Sequence, residues 1–151
     1  MRTVFYKRAT FVTHLPVDHL YTPSHNWLSQ VAPQEWRVGY TKFALRMLGE
    51  LVDVKFESEA GAKVELGDII GSIEGFKAIS DIYSVVQGRF ISGNTKLMSS
   101  LHALAEKPYD EGWIYQVAGV PDSRAMEVEA YRALLDATID RILEKQRQQE
   151  P

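Results

Sequence analysis

The residues with chemical potential are concentrated in one stretch, Gly67-Asp-Ile-Ile-Gly-Ser-Ile-Glu74-Gly-Phe-Lys77-Ala-Ile-Ser-Asp81-Ile-Tyr-Ser-Val-Val-Gln-Gly88. Two β-type runs, Ile69–Glu74 and Ile79–Val86, are separated by so few residues that they read as a hairpin. Gly75 is expected to relax the chain at the bend, where a residue without Cβ is tolerated best. Lys77 then falls at or beside the tip. An amine held out on a tight turn can be acylated by another enzyme without unfolding of the domain, and a group carried there has room to swing. Taken alone, such a lysine is a solvated charge, and the surrounding pattern has to argue for more.

Few other residues offer chemistry. The sequence has no cysteine, which excludes disulfides, thiolate metal sites and a cysteine nucleophile together. Any redox role needs sulfur from an attached group. His14, His19 and His102 show no metal-ligand spacing, so no metal site is expected. His25 has both a structural and a catalytic reading, of which the structural is favoured.

The elements that must position Lys77 are short. With 45% hydrophobic and 25% charged residues, the 151-residue chain has the composition of an ordinary globular protein with one core. A formal charge of −3, of mixed sign, gives no argument for a nucleic-acid partner. No apolar stretch reaches the length of a transmembrane helix, so no membrane role is expected. Residues 21–120 are rich in Gly, β-branched and aromatic residues in short runs bounded by turn residues, the pattern of a compact β domain. Strands are predicted at Asn26–Val31, Glu35–Tyr40, Leu51–Phe56, Ile69–Glu74, Ile79–Val86, Gly88–Ile91 and Trp113–Val117. Short helices are predicted at Thr41–Leu48, closed by Gly49, and around Leu97–Ala105.

The ends differ from this middle. Residues 1–20 form an N-terminal arm, basic and free of Asp and Glu from Met1 to Val17. Such a segment is either a mitochondrial transit peptide or an arm lying on the domain through Phe5, Tyr6, Phe11 and Val12. Pro16 and the lack of serine favour the arm. Residues 121–151 carry a helix, roughly Ser123–Gln148, started by Pro121, Asp122 and Ser123. Its stripe of Val128, Tyr131, Leu135, Ile139 and Ile142, widened by Leu134, Thr138 and Leu143, is expected to pack on the β domain.

Several segments, in this order, resemble the glycine cleavage H-protein family from Tyr21 to Val117. The family opens with Tyr-(Ser/Thr/Ala)-x-x-His-Glu-Trp; here it is Tyr21-Thr-Pro-Ser-His25-Asn26-Trp27. Val38-Gly-Tyr-Thr41 and Leu48-Gly-Glu50 match its Val-Gly-Ile-Thr and Leu-Gly-Asp/Glu segments. Glu74-Gly-Phe-Lys77-Ala-Ile-Ser-Asp81 matches its lipoylation segment, Glu-Ser-Val-Lys-Ala-x-Ser-Asp, with Gly88 at the usual distance. Pro108-Tyr-Asp-Glu-Gly-Trp113 matches Pro-Tyr-x-x-Gly-Trp.

The resemblance implies a mainly β barrel-sandwich hybrid of the lipoyl and biotinyl type, with short helices and a long C-terminal helix. It makes residues 21–120 a lipoyl-carrier domain and Lys77 the site of covalent lipoate, with Glu74 and Gly88 recognised by the lipoate-attaching enzyme. A biotin carrier is disfavoured, because Phe76 and Ala78 stand where such carriers place Met on both sides of the lysine. The implied role is that of a non-catalytic shuttle in the cytoplasm, with the mitochondrial matrix as the alternative. Its arm takes an aminomethyl group from a pyridoxal-phosphate glycine decarboxylase and presents it to a folate-dependent aminomethyltransferase. A dihydrolipoyl dehydrogenase then reoxidises the arm.

In the family the loaded arm folds into a cleft, and Ser24, Asn26 and Asp81 match positions lining it. Asp81 either pairs with the carried amine or is an exposed strand charge. The chain departs from the pattern at Asn26, where the family has glutamate, at Gly75-Phe76 in place of Ser-Val, and at Ser84-Val85, which lacks a proline. These departures leave open an H-like lipoyl carrier of another pathway, such as sulfur oxidation with a heterodisulfide-reductase-like complex, and an unmodified structural relative.

Overall fold

Period-two burial along short strands dominates the computed structural model, which describes residues 1–150. The chain opens with a hairpin of β1 (Thr3–Arg8) and β2 (Phe11–Pro16), turned at Ala9, which adopts a φ of 53°. Strands β3 (Leu20–Tyr21), β4 (Asn26–Ala32) and β5 (Glu35–Tyr40) follow, then α1 (Lys42–Leu48) and β6 (Leu51–Phe56). Next come β7 (Lys63–Val64), β8 (Ile69–Gly75), β9 (Ile79–Tyr83) and β10 (Val86–Gly93). Helices α2 (Thr95–Ser99) and α3 (His102–Glu106), strand β11 (Tyr115–Pro121) and helix α4 (Val128–Gln149) complete the order.

These strands form a six-stranded sheet, β3-β4-β5-β11-β10-β7, and a three-stranded sheet, β6-β8-β9. The inward residues of both sheets meet in one apolar core: Val38, Val86, Phe90 and Val117 from the larger sheet, Val54, Ile70, Ile73 and Ile82 from the smaller. Alternation along antiparallel strands accounts for this, since every second residue of each strand turns to this core.

A second cluster lies outside the sandwich. Tyr6, Phe11 and Leu15 of the hairpin meet Tyr21, Trp27 and Phe43 of the body and Val128, Tyr131, Leu135 and Ile139 of α4. Tyr21 and Tyr131 stack at 4.7 Å and 7°, an arrangement worth about 1 kcal/mol beyond area burial. Tyr6 donates to Asp136 at 2.7 Å, and Arg8 meets Asp140 at 2.6 Å.

The structure corrects several expectations. Tyr6 and Phe11 are buried anchors, but Phe5 and Val12 face outward, because neighbours in a strand point to opposite faces. The predicted strand Ile79–Val86 is two strands, since the buried Ser84 leaves the smaller sheet and bonds the Val86 carbonyl. The last strand begins at Tyr115 and runs on to Pro121. The helix around Leu97–Ala105 is split in two at Ser100–Leu101. The terminal helix starts at Val128, because Asp122 caps a turn through the Arg124 amide and Met126 pairs with Tyr21. Ile142 and Leu143 are each 37% exposed, where α4 runs past the body.

Candidate functional site

The hairpin tip is fixed by its backbone. Thr41 caps α1 by accepting from the Ala44 amide, and Gly49 ends that helix with a φ of 79°. The β8–β9 tip bonds this end: the Lys77 amide takes up the left-over Leu48 carbonyl at 3.0 Å, and the Phe76 amide donates to Glu50, just past the helix, at 2.9 Å. Gly75 donates to Ala78 at 2.9 Å and closes the turn.

Gly75, expected to relax the chain at the bend, has no positive φ there; its missing Cβ serves close approach. A Cβ there would stand 2.1 Å from the Leu48 carbonyl oxygen. At Gly49 a Cβ would stand 2.9 Å from Lys77 Cγ, so this glycine leaves a bed for the base of the lysine side chain.

Lys77 itself is exposed, and among the described residues its amine reaches only the Arg46 carbonyl, at 3.5 Å. An acyl group on Nζ would therefore displace little. Phe76 and Ile79 flank it with 77% and 72% of their surface exposed. Lys77 also borders a cavity of about 900 Å³, bounded by Thr10–Val12 of the hairpin, by α1, and by Ser99–His102 and Ala105.

The other predicted residues are placed around this tip unevenly. Glu74 is exposed on β8 opposite Ile79, three residues before the lysine. Asp81 is exposed on β9 opposite Ser72. Gly88 lies in the other sheet and faces Gly119, where a Cβ would meet the Ala118 carbonyl oxygen at 1.9 Å, so it has a packing role of its own. Ser24, in the β3–β4 loop, donates to Oδ1 of Asn26, the first residue of β4, at 3.0 Å. Neither they nor Asp81 line the cavity at Lys77.

Asn26 is 6% exposed and donates from Nδ2 to the Gly39 carbonyl at 3.3 Å. Asn26→Asp replaces that donor with a buried carboxylate facing an oxygen. The expected loss is about 1–3 kcal/mol in denaturant unfolding at neutral pH.

His25 adopts a φ of 67°, contacts Phe43 at 4.7 Å, and places Nδ1 2.9 Å from the Tyr131 hydroxyl, which also meets Thr41 Oγ1 at 2.9 Å. Burial pushes its pKa down to about 4. The unfolded chain, with an ordinary histidine, takes up the proton near pH 6.5. Stability from the neutral ring is therefore complete above about pH 6.5 and is lost as pH falls towards 4. His19, also pushed down by burial, adds in the same direction. Urea unfolding at pH 7 and pH 5 should show this loss, and His25→Gln should reduce it. Among the described residues no group of His, Asp and Glu could hold a metal, and no helix is long and apolar enough to cross a membrane.

Sequence reasoning did not find Leu48, Glu50 or Thr10–Val12 as parts of this region. Gly49, as a helix terminator and as the centre of the Leu48-Gly-Glu50 segment, is the local signal for it.

A mainly β chain of two apposed sheets, with one hairpin held out at its tip, has the architecture of a barrel-sandwich hybrid carrier. A crystal structure of a glycine cleavage system H protein from Mycobacterium marinum shares it, with a TM-score of 0.70 at 30% identity, covering 79% of this chain and 97% of that one. The family model described as Glycine cleavage H-protein matches residues 19–138. The glycine cleavage system H protein of Corynebacterium jeikeium is 39% identical over 125 residues, 81% of this chain and 98% of the relative. That of Kocuria rhizophila is 33% identical over 129 residues, 83% and 100%. The chain belongs to the glycine cleavage H-protein family.

Proposed function

We propose that the protein is the lipoyl-bearing shuttle of a glycine cleavage system, with lipoate in amide linkage on Lys77. The observation that carries this reading is the exposed amine on a tip whose backbone is pinned to the end of α1. When bound, the lipoyl group supplies a disulfide that accepts an aminomethyl group and two electrons from a glycine decarboxylase reaction. The chain's own part is positional. The fixed tip presents the arm in a constant frame, and Phe76 and Ile79 offer apolar contacts beside it. Glu74, next to the tip, suits recognition by a lipoate-attaching enzyme; Gly88 acts there indirectly, by holding β10 against β11. The protein does no bond chemistry alone. It visits a glycine decarboxylase, a folate-dependent aminomethyltransferase and a dihydrolipoyl dehydrogenase in turn, in the cytoplasm.

Ser24 and Asp81 remain the polar groups assigned to a loaded arm, with Asn26 contributing through its hold on Ser24. The test is intact mass after enzymatic lipoylation, then after incubation with glycine decarboxylase and glycine. A lipoyl increment that gains an aminomethyl group supports the reading. A lipoyl increment that never gains it moves the protein to another lipoate pathway, and no increment at all refutes the attachment.

A further inference from the structure

Thr10, Phe11 and Val12 form one wall of the cavity at Lys77, yet they lie outside the residues that the family model matches, 19–138. This wall is well supported. Phe11 packs edge-on against Phe43 of α1 at 5.6 Å, Arg46 reaches Thr10 Oγ1 at 3.3 Å, and Tyr109 joins Thr13 at 2.8 Å to the Lys42 amide at 3.1 Å. The apolar lining includes Phe11, Val12, Leu45, Leu51, Leu101 and Ala105. At about 900 Å³ the space is within the range of small-molecule sites. The tip backbone is bonded to Leu48 and Glu50, and the Lys77 side chain that leaves it borders this cavity.

The charges at its edge are unequal. Lys42, Arg46 and Glu50 line it with His102, and acylation turns Lys77 into a neutral amide. A cation placed here meets two fixed positive groups and one negative one, while an apolar ring loses nothing.

We infer that the N-terminal hairpin builds a docking site for the arm on Lys77, one that receives the neutral dithiolane and turns away an arm ending in an ammonium group. The inference rests on the reading of Lys77 as the lipoyl attachment point. The hairpin thereby shelters the empty arm between visits and leaves a loaded, cationic arm outside this cavity.

The test uses the full chain, lipoylated enzymatically and checked by intact mass. Lipoylation should shift the amide resonances of Thr10–Val12 and Leu101–Ala105. The dithiolane should be reduced by a water-soluble phosphine several-fold more slowly than free lipoamide. Val12→Asp, at an exposed hairpin position, and Ala105→Asp, on the facing wall, should each restore the free rate with the lipoyl mass unchanged. Capping the reduced arm with methyl groups should preserve the shifts; capping with 2-aminoethyl groups should abolish them.

Unmoved resonances and free-lipoamide rates on a chain of verified lipoyl mass overturn the docking site and spare the attachment. Equal shifts from both caps overturn the discrimination by charge. A chain that accepts no lipoyl group overturns the attachment and the docking site together.

Discussion

Lys77→Arg is expected to remove the lipoyl increment from the intact mass completely while moving the thermal midpoint by no more than about 2 °C. Both halves follow from the same geometry. Attachment needs an amine that can lose its proton and attack an activated acyl group, and a guanidinium does not deprotonate in a protein. Stability, by contrast, draws on the Lys77 backbone, whose bond to Leu48 survives the substitution. The amine gives up only its 3.5 Å contact with Arg46, which arginine can replace. A lipoyl increment that persisted would put the attachment on another lysine. A collapse of the midpoint would make Lys77 a structural residue.

How far the sequence discloses this site depends on the range of the interactions involved. Thr41, Gly49 and the β8–β9 hairpin are local features, and their residue types announce them: a hydroxyl cap, a helix-ending glycine, two short β runs. The buried stripe Val128, Tyr131, Leu135 and Ile139 follows from helical period in the same way. The N-terminal arm was legible only in part. Phe5 and Tyr6 are sequence neighbours, so a strand can bury one and not both, and the same holds for Phe11 and Val12. Tyr6 and Phe11 therefore anchor the arm, and Phe5 and Val12 do not.

What local pattern cannot carry is meeting across the fold. The pairing of Met126 with Tyr21 delays the start of α4, and no start signal in residues 121–127 shows it. Asn26 could be placed beside Ser24 from sequence, but not under the Gly39 carbonyl. The cavity draws its walls from Thr10–Val12, α1 and Ser99–Ala105, segments far apart in the chain. Its existence depends on the hairpin folding back over α1. The resemblance, which begins at Tyr21, is silent about that hairpin.

Gly75→Ala is expected to lower stability by roughly 2–4 kcal/mol and to cut the rate of lipoylation steeply, although Lys77 itself is unchanged. The added methyl would lie 2.1 Å from the Leu48 carbonyl oxygen, a backbone atom with no rotamer to escape through. The tip has to lift, and lifting stretches the bonds from Lys77 to Leu48 and from Phe76 to Glu50. The bond to Leu48 satisfies the end of α1, so part of the cost falls on the helix and not on the hairpin. An enzyme that recognises Lys77 in a fixed frame then meets a displaced and looser target. Urea unfolding measures the first effect and time-resolved intact mass the second. Gly49→Ala supplies the contrast, since its Cβ would meet the flexible Lys77 Cγ at 2.9 Å as well as impose a left-handed alanine. If Gly75→Ala lost stability but was lipoylated at the normal rate on its folded fraction, the attaching enzyme would be reading residues around Lys77 without regard to how α1 holds the tip.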